Sequence, residues 1–290
     1  MYMQEKPMVN YLDTLTAVFG YPVSENPTVV MMEAAFKATG LRWKYLTIEV
    51  RPDDLKKAVK GARAMGFKGF NLTIPHKTAV VQYLDEITPA AKLIGAVNTV
   101  HHTEGRLVGD NTDGKGFIKA LEEGNIEVRG KNIQVLGAGG AARAISVELA
   151  LAGASNVYIV NRNAEKGLDL SNHIGYNTAA QAVFVPWSEK MNIEEDVDIL
   201  VNATSIGLYP DVSQPGINWS SLANGTIVCD VIPNPPRTGF LGSAEAHGAR
   251  TIDGLGMLVY QGAIGFKMWT GYEAPVFEMK QALEGTFGKT

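Results

Sequence analysis

Apolar runs alternate with amphipathic stretches early in the chain, and each change of period marks a predicted element. Three short apolar runs, at 16–20, 44–50 and 69–75, are predicted strands. Between them, residues 28–40 and 53–66 carry apolar side chains at helical spacing. This alternation of strand and helix predicts an α/β layer with a mostly parallel sheet.

A second α/β series follows a polar, glycine-containing stretch at 105–116, where we expect the chain to change domain. The last apolar segment, 256–271, has helical character. The chain therefore favours two α/β domains. Between the polar stretch 105–116 and the helical segment 256–271, further strands are predicted at 132–136, 156–160, 182–185, 197–202 and 226–230.

Composition narrows the class of protein. The 290 residues include 26 Lys and Arg against 30 Asp and Glu, a net charge of −4, which argues against general nucleic-acid binding. The single cysteine, Cys229, ends an apolar run and is expected to be a buried strand thiol, and no Cys/His cluster predicts a metal site. Because no signal-peptide core or membrane-length apolar stretch is found, we expect a cytoplasmic protein without a membrane partner.

A glycine-rich turn, GAGGAA at 137–142, lies between the strand 132–136 and a helix-forming run. In the pattern G-x-G-x-x-[G/A], Gly137 permits a tight turn, Gly139 lets the backbone approach a pyrophosphate, and Ala142 allows helix and strand to pack closely. The phosphates would lie at the helix N-terminus, where free N–H groups favour negative charge. A tight turn without a ligand is the alternative, but the flanking strands and helix favour a dinucleotide site.

The residues after the next strand bear on the choice of dinucleotide. An NAD site usually has Asp or Glu there, to bind the ribose 2′-hydroxyl. This chain has Asn161-Arg162-Asn163, with Lys166 shortly after. Because a guanidinium can bind a 2′-phosphate through two hydrogen bonds, we predict NADP as the cofactor. NAD stays possible, since Glu165 is close.

Polar side chains also cluster where strands of the first series end. The motifs NLTIPHK, GAVNT and GDNTDG contain Asn71, Thr73, Lys77, Asn98 and Asp113. Ligands of open α/β sheets bind beyond the carboxyl ends of the strands, so these residues are predicted to bind a hydroxylated substrate. Lys77 and Asp113 would form a charged pair suited to proton transfer. Taken singly, Asn71 and Asn98 are also explained as turn residues, Lys77 as a helix-start residue and Asp113 as a cap.

Together these motifs resemble the shikimate dehydrogenase family, including its quinate/shikimate branch. The resemblance implies two α/β domains, an N-terminal substrate domain with a mostly parallel sheet and a C-terminal Rossmann-like dinucleotide-binding domain. We expect the substrate-binding catalytic domain at 1–112 plus 255–290 and the NADP-binding domain at 113–254. The matching motifs follow the family order between residues 16 and 275: NLTIPHK, TPAAKLIGAVNTV, GDNTDGKGF, LGAGGAARA, NRNAEK, NATSIG and DGLGMLVYQGAIGFKMWTG.

The resemblance also implies reversible, NADP-dependent oxidation of shikimate to 3-dehydroshikimate. Lys77 matches the family's catalytic lysine and Asp113 its partner, so the lysine would exchange a proton with the substrate oxygen. Further substrate contacts are implied at Asn71, Thr73, Asn98 and Gln261. Contacts to the cofactor are expected at Gly137, Ala138, Gly139, Gly140, Ala141, Asn161, Arg162, Lys166, Thr204, Gly254 and Met257.

Two stretches depart from the family pattern. The family has G-x-P-I-x-H-S-x-S-P, whose two serines bind the substrate carboxylate, whereas this chain has the shorter GYPVSENPT. Ser24 and Asn26 take the serine positions, and Glu25 adds a negative charge between them. Pro233 replaces a tyrosine, so one substrate-facing hydroxyl is lost. A related cyclic polyol acid, such as quinate or an amino or hydroxy variant, therefore stays open as the substrate.

Two other functions stay open. One is a family member specialised for quinate that uses NAD, although the missing acidic residue after Val160 argues against NAD. The other is a non-catalytic nucleotide-binding protein on the same fold, against which the Lys77–Asp113 pair argues. The expected partner is a small-molecule substrate, bound by a monomer or a homodimer.

Overall fold

The structure, a computed structural model, describes residues 10–287 and contains two six-stranded sheets. The α/β class and the change from one series of strands to a second are therefore confirmed. The outermost residues of the expected first domain, 1–9 and 288–290, lie outside the described residues.

The first sheet has the strand order β2-β1-β3-β5-β6-β4. Its strands are β1 (Thr14–Gly20), β2 (Trp43–Glu49), β3 (Gly69–Leu72), β4 (Glu86–Ile87), β5 (Thr99–Thr103) and β6 (Arg106–Asp110). Only β5 runs antiparallel to its neighbours. A two-residue hairpin explains this reversal, because Glu104 and Gly105 have φ of 49° and 78°, the left-handed conformation that suits such turns.

The second sheet is parallel throughout, in the order β12-β11-β10-β7-β8-β9. Its strands are β7 (Asn132–Leu136), β8 (Asn156–Asn161), β9 (Gln181–Pro186), β10 (Ile199–Asn202), β11 (Ile227–Asp230) and β12 (Arg250–Ile252). From β7 the chain proceeds to β8 on one side and later returns to β10 on the other. This reversal opens a crevice beyond the carboxyl ends of β7 and β10, where open α/β sheets bind ligands.

Helices cover both sheets. Residues of β1 alternate between the two faces of the first sheet, with Phe19 in one buried cluster and Val18 in another. The α-helices of the described chain are α1 (Thr28–Ala38), α2 (Leu55–Ala64), α3 (His76–Ala79), α4 (Pro89–Ile94), α5 (Asp113–Glu123), α6 (Gly140–Leu151), α7 (Ala164–Asn177), α8 (Gly239–Ala246), α9 (Gly254–Thr270) and α10 (Val276–Phe287).

Helix α9 returns from the second sheet to the first. Its residues Leu255 and Phe266 share a buried cluster with Val18 of β1 and Phe36 of α1. Helix α9 therefore packs with the helix and strand that begin the first sheet.

A glycine sets the distance between α5 and α9. A Cβ on Gly116 of α5 would lie 2.7 Å from the Gln261 nitrogen and 2.8 Å from the Met257 oxygen, both in the α9 backbone. Only a residue without a side chain fits there. The close approach brings Asp113, at the start of α5, next to the face of α9 that carries Gln261.

Cys229 lies fully buried in β11, which confirms the expected strand thiol. Burial raises the pKa of this thiol well above its ordinary value. Within residues 10–287, no helix combines the length and apolarity needed to cross a bilayer.

Candidate active site

A cavity of about 170 Å³ lies between the two sheets, bordered by strand ends of the first sheet, by α5 and α9, and by the loop after β11. Ser24 does not line it: this serine is exposed on the loop before α1. The other predicted substrate and catalytic residues line its wall together with two of the expected cofactor contacts: Asn26, Asn71, Thr73, Lys77, Asn98, Asp113, Gly254, Met257 and Gln261.

Lys77 and Asp113 form an ion pair at this wall. Lys77 Nζ lies 2.7 Å from Asp113 Oδ2, and the two side chains are 31% and 12% exposed. The short helix α3 carries Lys77, and the buried His76 ring beside it hydrogen-bonds the Val50 carbonyl oxygen at 2.7 Å, which anchors the turn. Because an ammonium has three N–H donors and Asp113 accepts from one, two remain for a ligand in the cavity.

The side-chain amide of Asn71 is already engaged within the protein. Its Oδ1 accepts a 2.7 Å hydrogen bond from the Tyr45 hydroxyl, and burial raises the pKa of that tyrosine. Its Nδ2 donates to the Asn98 carbonyl oxygen at 3.1 Å and to Thr99 Oγ1 at 2.9 Å. Both amide hydrogens are therefore used, and Asn71 retains only acceptor capacity toward the cavity.

Asn98 is engaged in the same way. Its Nδ2 donates to Asp113 Oδ1 at 2.7 Å and to Thr112 Oγ1 at 3.0 Å, while its Oδ1 accepts from the Thr112 backbone nitrogen at 2.7 Å. Asp113 is thus held on one oxygen by Asn98 and on the other by Lys77. The geometry makes Asn98 a support for the charged pair.

The end of the cavity near α1 carries neutral polar groups. Asn26 Oδ1 accepts a 3.0 Å hydrogen bond from the Thr28 nitrogen, which leaves the Asn26 amide hydrogens for a ligand. Thr28 is 5% exposed and lines the same wall. Thr28 was not among the predicted substrate contacts, because the serine positions of the family pattern correspond to Ser24 and Asn26. The one sequence feature that indicates a role for Thr28 is its position at the start of a helix beside a polar loop. Pro233 also lines the cavity and contributes no hydroxyl.

A larger cleft of about 600 Å³ lies beyond the carboxyl ends of the second sheet. Val231 and Pro233 line both this cleft and the smaller cavity, so the two are adjacent. The remaining predicted cofactor contacts line the cleft, whereas Gly254 and Met257 line the smaller cavity: the cleft residues are Gly137, Ala138, Gly139, Gly140, Ala141, Asn161, Arg162, Lys166 and Thr204.

The glycine-rich turn has the shape that a dinucleotide requires. Gly137 has a φ of +112°, and a Cβ on it would lie 3.0 Å from the Ala203 carbonyl oxygen. Apart from the adjoining residues and the backbone of α6 itself, no atom of residues 10–287 lies within 4 Å of a Cβ built on Gly139 or Gly140, so open space adjoins the first turn of α6. A phosphate can therefore approach the backbone N–H groups at this helix start.

The side of the cleft near β8 carries positive charge. Arg162 is exposed, and its guanidinium carbon lies 4.9 Å from the centroid of the Trp187 ring. Asn163 Oδ1 accepts from the Lys166 nitrogen at 2.9 Å and caps α7. Glu165 lines a neighbouring groove and not this cleft. Trp187 also lines the cleft. The sequence motifs did not predict this residue, because it lies 25 residues beyond Arg162.

Comparisons with known proteins identify the family of this chain. The substrate-binding domain of shikimate dehydrogenase matches residues 18–100, the shikimate / quinate 5-dehydrogenase family matches 119–209, and the shikimate 5′-dehydrogenase C-terminal domain matches 254–284. Shikimate dehydrogenase (NADP⁺) of Desulforamulus reducens is 43% identical, over 97% of this chain and 98% of the relative.

Two solved structures cover nearly the whole chain. The ligand-free 5-ketofructose reductase of Gluconobacter sp. strain CHM43 has a TM-score of 0.93 and 48% identity, covering 96% of this chain and 100% of that one. A shikimate dehydrogenase in complex with NADP⁺ has a TM-score of 0.88 and 41% identity, covering 97% and 98%. These likenesses confirm the predicted family, the two-domain fold and the class of enzyme. The chain belongs to the shikimate dehydrogenase family of NAD(P)-dependent dehydrogenases.

Proposed function

We propose that this protein is an NADP-dependent oxidoreductase that interconverts a ring alcohol and its ketone, with shikimate and 3-dehydroshikimate as the first substrate pair to consider. The observation that carries the proposal is the Lys77–Asp113 ion pair, at 2.7 Å, in a small cavity that adjoins the nucleotide cleft. A non-catalytic nucleotide-binding protein would not need such a pair beside an enclosed polar cavity.

Lys77 acts on the reacting oxygen of the substrate. When bound, NADPH supplies the hydride for reduction of the ketone carbon. As negative charge develops on the carbonyl oxygen, the Lys77 ammonium stabilises it and donates a proton. In the oxidative direction, neutral Lys77 accepts the hydroxyl proton. Asp113 accepts a hydrogen bond from Lys77 and, because Asn98 holds its other oxygen, keeps the lysine at the cavity wall.

The nucleotide would be held by the residues that line the cleft. The turn from Gly137 to Ala141 and the start of α6 suit the pyrophosphate, and Arg162 with Lys166 suits a 2′-phosphate. Thr204, whose Oγ1 donates to Asn202 Oδ1 at 2.7 Å, borders the same space. At the boundary with the substrate cavity, Gly254 and Met257 would adjoin the nicotinamide.

The division into domains follows the two sheets. We assign residues 1–112 plus 255–290 to the substrate-binding domain and 113–254 to the NADP-binding domain. The packing of α9 against α1 and β1 supports the discontinuous first domain. A monomer or homodimer and a cytoplasmic location remain predictions, and sedimentation and cell fractionation would check them.

A neutral polyhydroxy ketone is the second candidate substrate, and the substrate end of the cavity favours it. Lys77 is the one cationic side chain of the described chain that lines the cavity, and Asp113 already neutralises it. Ser24 is outside and Pro233 has no donor, so a buried carboxylate would find few partners, which is costly. The relative of 48% identity is named for reduction of 5-ketofructose, a compound without a carboxylate.

The two candidates are separated by a substrate panel. The purified chain is assayed by nicotinamide absorbance with shikimate and quinate in the presence of NADP⁺ or NAD⁺, and with 5-ketofructose in the presence of NADPH or NADH. Turnover of shikimate supports the first candidate, and reduction of 5-ketofructose alone supports the second. If no compound reacts although NADP⁺ binds, the proposed reaction is refuted. A preference for NAD⁺ over NADP⁺ would overturn the role given to Arg162.

A further inference from the structure

Arg162 and Trp187 follow the ends of two adjacent parallel strands. The register of β8 and β9 places Asn161 opposite Pro186, so the residue that follows each of them lies at the same edge of the sheet. The Trp187 nitrogen also donates to the Asn161 carbonyl oxygen at 3.3 Å, which ties the loop after β9 to the end of β8. Both side chains line the nucleotide cleft.

The tryptophan ring is the fixed member of this pair. It is partly buried and packs against the apolar cluster under the second sheet, which includes Val160 and Met191. Arg162 is exposed and, among residues 10–287, has no hydrogen-bond or ion-pair partner. The separation of 4.9 Å between its guanidinium carbon and the ring centroid is that of a cation–π contact. The ring is therefore the contact that holds the guanidinium at the cleft.

We infer that Trp187 is a positioning residue for cofactor selection. It restricts Arg162 before the cofactor arrives, so that a 2′-phosphate meets a guanidinium whose conformational freedom is already reduced. A side chain that is held in place loses less entropy on binding, and affinity rises accordingly. The benefit applies to NADP and not to NAD, which has no 2′-phosphate. This inference rests on the proposed function, in which Arg162 binds that phosphate.

The test compares Trp187→Ala, Trp187→Phe and Arg162→Ala in the full chain. Calorimetry gives the dissociation constants of NADP⁺, NAD⁺, adenosine 2′,5′-bisphosphate and AMP. Trp187→Ala is expected to weaken NADP⁺ and the bisphosphate about two- to fivefold, the size of an exposed cation–π contact, with NAD⁺ and AMP unchanged. Trp187→Phe should restore part of the loss, since phenylalanine is a weaker partner for a cation.

The controls separate this role from a loss of stability. Trp219 packs partly buried against the same apolar cluster and does not line the cleft, so Trp219→Ala should leave the NADP⁺ to NAD⁺ affinity ratio unchanged. In an Arg162→Ala background, Trp187→Ala should have no further effect on that ratio. At saturating NADP⁺, kcat should also stay unchanged in Trp219→Ala.

Each contrary result has a distinct meaning. If Arg162→Ala collapses the affinity ratio and Trp187→Ala does not change it, the positioning role of Trp187 is wrong and the proposed cofactor site stands. Equal weakening of NADP⁺ and NAD⁺ by Trp187→Ala also overturns the inference, because the ring would then act on the shared part of the cofactor. If Arg162→Ala leaves the ratio unchanged, the proposed 2′-phosphate site and the role of Trp187 both fall.

Discussion

Replacement of Lys77 by alanine tests the proposed chemistry most directly. The variant removes the ammonium that lies 2.7 Å from Asp113 Oδ2 and leaves the engaged Asn71 and Asn98 amides in place. No other cationic side chain of the described chain lines the cavity, so none can take over the proton transfer. The reaction should therefore lose its acid/base catalyst while the binding wall is retained.

The size of the effect follows from the role. A positioned acid/base group contributes about 10²–10⁴ in rate, or about 2.7–5.4 kcal/mol of barrier at 1.36 kcal/mol per tenfold. Loss of Lys77 also leaves Asp113 Oδ2 without its partner, and an unsatisfied buried polar group costs about 1–3 kcal/mol of folding free energy. We expect kcat to fall by about 10²- to 10⁴-fold and the substrate dissociation constant to change much less.

A second lysine of the same structure controls for the broken ion pair. Lys115 is also 31% exposed and lies 2.5 Å from Asp110, whose side chain is 6% exposed, but it does not line the cavity. Lys115→Ala should cost a similar amount of stability and leave kcat near that of the parent. Initial rates at saturating NADP⁺, together with thermal unfolding of both variants, make the comparison. A Lys77→Ala enzyme with the parent's kcat, or an equal loss of kcat in Lys115→Ala, would refute the role of Lys77.

Three further predictions concern the support of the site. Glu148 is buried with Oε1 unpartnered, and desolvation raises its pKa. Ionisation of Glu148 therefore destabilises the native state as pH rises above the ordinary pKa of glutamate. Glu148→Gln should raise Tm at pH 8 and not at pH 4. Gly116→Ala would place a Cβ 2.7 Å from the Gln261 nitrogen and should cost about 1–3 kcal/mol in urea unfolding while raising the substrate KM. Asp230 accepts hydrogen bonds from Thr238 Oγ1 at 2.7 Å and the Ile232 nitrogen at 3.1 Å; Asp230→Ala should cost about 1–3 kcal/mol in the same assay.

Features that depend on a local pattern could be predicted from the sequence. The turn at Gly137 is flanked by its own strand and helix, and the structure shows the positive φ and open space that the glycine spacing indicates. The Lys77–Asp113 contact was also predicted, although 36 residues separate the partners. The prediction relied on two motifs, NLTIPHK and GDNTDG, each at the carboxyl end of a predicted strand. Parallel strands bring their carboxyl ends to one edge of the sheet, so residues of both motifs were expected to meet there.

Features that depend on tertiary contacts could not be predicted. The engagement of the Asn71 amide requires the Tyr45 hydroxyl, which reaches it from β2 across the intervening strand β1, so the contact depends on the strand order of the sheet. Trp187 meets Arg162 through the register of β8 and β9, which the sequence alone does not give. The exposure of Ser24 depends on the path of a shortened loop, whose length the sequence showed but whose course it did not.

In the proposed function, these tertiary contacts bear on how substrates are distinguished. Because the Asn71 and Asn98 amide hydrogens are bound within the protein, neither residue can donate a hydrogen bond to a substrate without breaking one it already makes. Recognition of the rest of the substrate then falls on the other polar residues of the wall, Asn26, Thr28, Thr73 and Gln261, all of them neutral. When each buried polar group of a site needs a hydrogen-bond partner on the substrate, a compound that leaves one such group without a partner is strongly disfavoured. The altered loop before α1 and Pro233 therefore bear on the choice of substrate, whereas Lys77 and Asp113 bear on the reaction that any accepted substrate undergoes.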